Sequence, residues 1–195
     1  MIDATADALV IVDVQNDFCP GGALGVNSGH EVVGPLNRYA QHFAAAGAPV
    51  FATRDWHPLR TKHFKQDGGL WPPHCVQGTA GAEFHADLDL PADTLIVSKG
   101  MDPDEDAYSG FQARDDGGRA FAELLRQRGV RRLWIGGLAT DYCVKATALD
   151  ALREGLEVVV LSDAIRAVDL VDGDGTRARD EMRAAGAVFL DQAAL

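Results

Sequence analysis

Hydrophobic and polar positions form alternating blocks along the chain, in which short apolar runs are separated by segments with helical spacing. The first run, residues 8–13, is apolar up to its last residue, as is typical of a strand buried on both faces. Apolar residues at helical spacing follow over 33–44, and Gly47 supplies a stop signal. The same pattern predicts strands over residues 8–13, 49–53, 94–98, 132–136, 157–161 and 187–190. It predicts helices over residues 33–44, 118–128, 141–154 and 176–185.

This alternation of strands and helices predicts an α/β protein with a mostly parallel, six-stranded, Rossmann-like sheet. Helices on both faces would give a three-layer αβα arrangement. We expect one domain over residues 1–195, because this length suits a single core. Two segments interrupt the regular pattern. Residues 55–93 are too long for an ordinary connection, which indicates a functional insertion, and residues 101–116 form a second long loop.

Composition and charge exclude several classes of protein. The chain has 18 Lys and Arg against 29 Asp and Glu, a formal net charge of −11, which disfavours non-specific binding of nucleic acid or anionic membranes. No apolar run approaches the roughly 20 residues of a membrane span, and residues 1–8 lack the basic start of a signal peptide. We therefore expect a cytoplasmic protein whose three cysteines are reduced. The sequence does not decide between a monomer and a homo-oligomer.

Reactive residues follow four of the predicted strands at the point where each strand ends. Asp13 ends the first strand, Asp55 follows the second, Lys99 follows the third, and residues 138–143 follow the fourth. Because ligands of open parallel sheets bind at the carboxyl ends of the strands, we expect these groups to meet at one edge.

Cys143 is the candidate nucleophile at this edge. It lies in the first turn of a predicted helix, where the helix dipole is expected to lower the thiol pKa and backbone N–H groups suit an oxyanion hole. The alternative is an inert buried thiol. Asp13 needs a partner because it directly follows an apolar run, and Lys99 is a candidate for that partner. Both residues also have a simpler interpretation: Asp13 as a turn residue, and Lys99 as an ordinary surface lysine.

The insertion carries most of the candidate metal ligands. Four of the six histidines lie there: His57, His63, His74 and His85. Asp55 and His57 are two residues apart and project to the same side of an extended segment. Oxygen and imidazole ligands suit zinc, iron or manganese, and His85 is the most dispensable of the set. Cys75 is either a further ligand or a buried thiol in a rigid turn. The aromatic residues Phe18, Trp71 and Tyr108 either wall a pocket for a flat ring or pack as satellite core.

Six motifs, taken together and in order, resemble nicotinamidases, which belong to the isochorismatase-like cysteine hydrolase superfamily. They span almost the whole chain: Ile11-Val-Asp-Val-Gln-Asn-Asp-Phe18, Asp55-Trp-His57, Trp71-Pro-Pro-His-Cys-Val-Gln-Gly-Thr79, Val97-Ser-Lys-Gly100, Tyr108-Ser-Gly-Phe111 and Gly137-Leu-Ala-Thr-Asp-Tyr-Cys-Val144. The Asp, Lys and Cys set marks the superfamily, and the metal cluster is more specific because most other branches lack it. At position 142 this chain has Tyr, where some members have His.

The resemblance implies a role for each candidate residue. Cys143 would be the nucleophile, and Asp13 and Lys99 would complete a catalytic triad. The backbone N–H groups of Ala139 and Cys143 would form the oxyanion hole, with a cis peptide bond between Leu138 and Ala139. One divalent metal ion, zinc, iron or manganese, would be bound by Asp55, His57, His63 and His74. The substrate ring would contact Phe18, Trp71, Tyr108 and Leu138.

The implied activity is hydrolysis of nicotinamide to nicotinate and ammonia through a cysteine thioester, with a role in NAD salvage. The metal would orient the pyridine ring, and ring analogues such as pyrazinamide would be further substrates. One alternative is a superfamily amidase acting on a ureido or carbamoyl compound, which the metal cluster disfavours. A vinyl-ether hydrolase acting on isochorismate is more remote, since those enzymes lack the metal. A non-catalytic metal or thiol sensor using His57, His74, Cys75 and Cys143 is an alternative of a different class.

Overall fold

The apolar runs of the sequence form the strands of one parallel sheet. In a computed structural model, which describes residues 2–191, all six predicted strands and all four predicted helices are present. The strands are β1 (Asp7–Val12), β2 (Val50–Asp55), β3 (Leu95–Lys99), β4 (Arg132–Leu138), β5 (Glu157–Arg166) and β6 (Val188–Leu190). The helices are α1 (Val33–Ala46), α2 (Phe121–Gln127), α3 (Lys145–Arg153) and α4 (Asp174–Ala185). Residues 1 and 192–195 of the expected domain lie outside the described residues.

The order of the strands places the first and fourth at the centre of the sheet. The order is β3-β2-β1-β4-β5-β6, and every neighbouring pair is parallel. The chain moves outward from β1 to β3 and then crosses back to β4, so the direction of winding reverses between β1 and β4. In folds of this kind the ligand crevice opens at that reversal, beyond the carboxyl ends of the strands.

Two apolar clusters, one on each face of the sheet, confirm the three-layer arrangement. One cluster joins α1 to one set of strand side chains, such as Leu9 and Ile11. The other joins α2 and α3 to the alternate set, such as Val10 and Val12. Successive side chains of a strand point to opposite faces, which is why the continuous apolar run of β1 is required. Within the described part of the chain, no helix has the length and apolar character needed to cross a membrane.

The structure moves several predicted boundaries. β5 is ten residues long, twice the predicted length, and its pairing with β4 shifts register between Ile135 and Gly137. The helix predicted over 141–154 instead starts as a π-helical turn, Thr140–Val144, and continues as α3. The predicted insertion contains only short 3-10 turns and isolated bridges, and these fold against the carboxyl edge of the sheet.

Candidate active site

Four chain segments deliver polar side chains to the carboxyl edge of the sheet. Asp13 directly follows β1, Asp55 is the last residue of β2, Lys99 is the last residue of β3, and Cys143 lies in the π-helical turn after β4. All four residues are buried. The predicted convergence is therefore confirmed, and it follows from the parallel alignment of the strands.

Lys99 is the centre of this group. Its Nζ lies 2.8 Å from Asp13 Oδ2, donates to Asp55 Oδ1, and lies 3.6 Å from Cys143 Sγ. It also donates to the carbonyl of Ala107 at 3.1 Å. Lys99 thus pairs with Asp13, as predicted. It also pairs with Asp55, which the sequence analysis placed among the metal ligands.

The charges of this group stabilise one another. Burial alone would lower the pKa of Lys99, but the carboxylates of Asp13 and Asp55 raise it well above its usual value. Burial would also raise the pKa of Asp55, yet Lys99 and His57 outweigh that effect and hold it well below its usual range. For Asp13 burial dominates, and Lys99 offsets only part of it, so the pKa of Asp13 is raised. Asp13 is therefore the carboxylate better suited to take up a proton.

The thiol of Cys143 differs from the sequence-based expectation. We expected the helix N-terminus to lower its pKa, but burial raises the pKa of Cys143 well above the usual value, and Asp13 and Asp55 raise it further. Lys99 opposes this shift without reversing it. The short range of a helix dipole does not offset the loss of water around a buried anion. The resting thiol is protonated, so its use as a nucleophile requires a neighbouring base.

Three imidazoles of the insertion form a second group beside the first. His57, His63 and His74 are buried, and each offers a ring nitrogen within 4.8 Å of the others. Asp55 Oδ2 lies 3.6 Å from His57 Nε2 and 3.8 Å from His74 Nε2. Asp55 therefore contacts Lys99 with one oxygen and faces the imidazoles with the other.

The protonation of these imidazoles suits a divalent cation. The Nδ1–H of His57 donates to Gly100 O at 3.0 Å, that of His74 to Pro72 O at 2.8 Å, and that of His63 to Asp106 Oδ1 at 3.0 Å. These bonds leave Nε2 as the free lone pair of each ring, and His57 Nε2 is buried without a hydrogen-bond partner in the described structure. Burial lowers the pKa of His63 and lowers that of His74 to about 4, so both rings are neutral near pH 7. Three imidazoles and a carboxylate at this spacing fit zinc, iron or manganese.

One pocket connects the thiol group with the imidazoles. Its lining includes Cys143 and Ala139 together with Asp55, His63 and His74. Its remaining wall includes all four predicted ring contacts: Phe18, Trp71, Tyr108 and Leu138. Trp71 Nε1 donates to Tyr108 Oη at 3.0 Å, which fixes these two aromatic side chains together. The peptide bond between Leu138 and Ala139 is cis, as the resemblance implied.

Two residues that the sequence left open lie outside this arrangement. His85 does not belong to the imidazole group and lies 4.0 Å from the exposed carboxylate of Asp87. Cys75 is buried, is not part of that group, and has a φ of +45°. Burial raises the pKa of Cys75, which agrees with the interpretation as a buried thiol in a rigid turn.

Sequence reasoning missed residues that shape the site indirectly. Leu24, Val26 and Val168 line the pocket but carry no chemical signal. Gln15 is fully buried and pairs its amide with both the N–H and the C=O of Asp55, at 2.8 Å each. Gln15 stands in the mostly polar run Asp13-Val-Gln-Asn-Asp17, so its local sequence gives no sign of its burial. Asp106 was indistinguishable from the other acids of its loop.

The fold and the site together define an α/β protein with a thiol, acid and lysine centre beside a histidine group that could hold a metal ion. The model of the Isochorismatase domain matches residues 7–194, so the chain belongs to the isochorismatase family. The nicotinamidase/pyrazinamidase of Mycobacterium tuberculosis is 44% identical over 182 residues, covering 91% of this chain and 95% of that protein.

Solved structures show the same similarity. The pyrazinamidase of Pyrococcus horikoshii in complex with zinc is 47% identical, with a TM-score of 0.88, over 95% of this chain and 98% of that one. PnC1 from L. infantum in complex with nicotinate is 37% identical, with a TM-score of 0.86, over 100% of this chain and 96% of that one.

Proposed function

We propose that this chain is a nicotinamidase, an amidohydrolase that converts nicotinamide to nicotinate and ammonia. The observation that carries the proposal is the single pocket with aromatic walls between a buried cysteine and a metal-binding histidine group. We expect a flat ring to contact Phe18, Trp71 and Tyr108, with its carboxamide directed at Cys143, because all four residues line the same pocket. The similarity to a nicotinamidase/pyrazinamidase and to a nicotinate complex supports this substrate class.

In the proposed mechanism Cys143 is the nucleophile and Asp13 is the base. Asp13 takes the proton of the buried thiol, whose raised pKa makes a base necessary. The thiolate attacks the carboxamide carbon, and the N–H groups of Ala139 and Cys143 stabilise the oxyanion. Asp13 then gives the proton to the leaving ammonia. Lys99, 2.8 Å from Asp13, orients that carboxylate and stabilises its charge.

The second half of the reaction reverses these roles. A water, deprotonated by Asp13, attacks the thioester, and nicotinate leaves as the Cys143 thiol is restored. Asp55, His57, His63 and His74 would hold one divalent ion, which would supply a ligand position for the pyridine nitrogen. We assign ring contacts to Phe18, Trp71, Tyr108 and Leu138. Pyrazinamide has a ring of the same shape and is a further expected substrate.

We further propose that residues 1–195 form a single isochorismatase-like domain with its metal-binding insertion at about 55–93. The match of the domain model to residues 7–194 supports this division. The cellular role we propose is NAD salvage in the cytoplasm, because the reaction returns nicotinate from a breakdown product of NAD.

Ammonia and nicotinate release from nicotinamide tests the activity. The metal-loaded wild type is expected to turn over, and Cys143→Ala is expected to lose the reaction because no other group forms the thioester. Cys19→Ala is the matched control, since Cys19 is also a buried thiol but is not part of the pocket lining.

Chelation tests the metal. EDTA treatment is expected to reduce turnover, and one added metal among zinc, iron and manganese is expected to restore it. No release of ammonia by the metal-loaded wild type would rule out the nicotinamidase assignment, and carbamoyl and ureido amides would then be screened. Full activity of Cys143→Ala would refute the covalent mechanism.

A further inference from the structure

The three metal-binding imidazoles are oriented in two different ways. Backbone carbonyls of Gly100 and Pro72 accept from His57 and His74, so those contacts are fixed by the path of the chain. His63 instead donates to a side chain, the carboxylate of Asp106, at 3.0 Å. A carboxylate that accepts from the outer nitrogen of a ligating histidine fixes its ring and raises its basicity.

The two partners of this contact differ sharply in exposure. The side chain of His63 is 4% exposed, whereas that of Asp106 is 61% exposed. Residues 101–106 form a wholly exposed segment of the loop after β3. The contact therefore joins a buried ligand to the outermost part of a surface loop.

The same loop contributes to the catalytic group one and two residues further on. The carbonyl of Ala107 accepts from Lys99 at 3.1 Å, and Tyr108 lines the substrate pocket. The loop has a second anchor on the insertion, where Pro103 O accepts from the N–H of Lys62 at 3.0 Å. Residues 101–106 thus lead directly into Ala107 and Tyr108, and the carbonyl of Asp106 also accepts from Gln112 at 2.8 Å.

We propose that Asp106 is a positioning residue that orients His63 for the metal and couples metal binding to the seating of residues 101–107. A bound cation withdraws electrons from the imidazole and strengthens the hydrogen bond from its Nδ1–H to the carboxylate. Metal binding then holds the loop more firmly, and the loop in turn holds the carbonyl that Lys99 uses. The inference rests on the proposed metal site, and it extends that site to a residue of the surface loop.

Zinc affinity is the first test, measured on metal-free protein by competition with a chromogenic chelator and without any assay of activity. Asp106→Ala is expected to weaken zinc binding by about 10- to 100-fold, the range for removal of such a partner. Asp106→Asn keeps an acceptor oxygen without the charge and is expected to recover part of the affinity. Asp104→Ala is the matched control, because it removes the same charge from the same exposed segment.

Hydrogen exchange of the backbone amides is the second test. Zinc is expected to slow exchange over residues 101–107 in the wild type and in Asp104→Ala, but not in Asp106→Ala. Equal zinc affinity of Asp106→Ala and wild type would overturn the positioning role of Asp106. Exchange in the wild type that zinc leaves unchanged would overturn the coupling. Neither result would overturn the proposed metal site itself. Failure of the wild type to bind zinc, iron or manganese would overturn both the coupling and the metal site. Thermal unfolding of the metal-free variants checks that each one is folded.

Discussion

In the proposed mechanism Asp13 must be ionised to accept a proton, although it lies in a fully buried position. Its Oδ2 faces Lys99, and its Oδ1 accepts from the hydroxyl of Thr53 at 2.6 Å. The residue also has a φ of +49°, a left-handed conformation that Asp tolerates better than most side chains. The carboxylate is therefore held by one hydrogen bond, one ion pair and an unusual backbone conformation, all at the end of a strand.

Replacing the Thr53 hydroxyl tests whether this hydrogen bond sets the pKa of Asp13. Thr53→Val removes a hydrogen bond that favours ionised Asp13, so the pKa of Asp13 rises further. Because the ionised form is the base, the acidic limb of the pH profile of kcat/KM is expected to move to higher pH. At neutral pH we expect a loss of about tenfold in kcat/KM, which corresponds to one hydrogen bond to a charged group.

Thr53→Ser is the control for this substitution, because it keeps the hydroxyl and changes only a methyl group. It is expected to keep the acidic limb of the wild type. A Thr53→Val profile that overlays the wild type would show that the hydroxyl does not tune the base.

Gln15 holds Asp55 through the backbone. Its side chain accepts from Asp55 N–H and donates to the carbonyls of Asp55 and Ala82, each at 2.8 Å. Gln15→Met leaves three buried backbone groups unpaired, and we expect it to lower the free energy of unfolding by at least about 2 kcal/mol. Zinc affinity is expected to fall with it, since Asp55 loses its support.

Gln77→Met is the matched control for Gln15→Met. Gln77 also donates to a backbone carbonyl, that of Trp56 at 2.8 Å, but it is exposed, and water replaces the lost bond. Urea unfolding and zinc titration measure both variants. An equal loss in the two variants would contradict the role assigned to the buried amide.

At the scale of whole elements, Gly100 shows how closely the end of β3 approaches His57, a proposed metal ligand. It has a φ of +71°, and a Cβ added there would lie 2.4 Å from Cε1 of His57. Gly100→Ala is therefore expected to displace the imidazole and to weaken zinc binding by about tenfold or more, comparable to the loss of an outer partner.

Gly118→Ala separates this steric effect from backbone strain. Gly118 has a φ of +80°, but a Cβ added there meets open space. Both substitutions carry the left-handed penalty of about 1–2 kcal/mol, and only Gly100→Ala reaches a ligand. Chelator competition measures the zinc affinity of each variant, and equal affinities would rule out the steric contact as the cause.

The elements themselves were largely predictable, because each strand contains a short apolar run and the helices place apolar residues at helical spacing. The parallel topology alone predicted that four residues would meet at one edge of the sheet: Asp13, Asp55, Lys99 and Cys143. Burial of the group was the part that local reasoning could not supply, and it reversed the expected pKa shift of Cys143. The extra length of β5 was also hidden, because Ser162 and Asp163 interrupt its apolar pattern.

The contacts of the insertion depend on residues far apart in the chain. The resemblance identified His57, His63 and His74, and the structure groups them. Asp106 meets His63 across a separation of 43 residues, and no periodic pattern indicates such a pairing.

Across the whole molecule, the candidate active site and the Asp7–Arg132 ion pair lie at opposite ends of the central strands. The candidate active site lies beyond the carboxyl ends of β1 and β4, at the reversal of winding. At their other ends, Arg132 donates to both oxygens of Asp7, at 2.8 Å and 2.7 Å. The parallel register pairs these two residues directly, so the ion pair ties the first residues of the two central strands together.

This separation predicts a variant with altered stability and unaltered catalysis. The side chain of Asp7 is 0% exposed and that of Arg132 is 31% exposed, so Asp7→Asn leaves Arg132 without its buried counter-charge. We expect a loss of about 1–3 kcal/mol in the free energy of unfolding, because Arg132 retains some access to water and to Glu157. Urea unfolding measures the loss, and ammonia release below the unfolding transition measures kcat and KM, which are expected to match the wild type.

Asp150→Asn, which breaks an exposed pair with Arg153, is the control for a charge change without burial. A fall in kcat for Asp7→Asn would mean that the strands transmit the change over their full length, and that the two ends of the sheet are not independent.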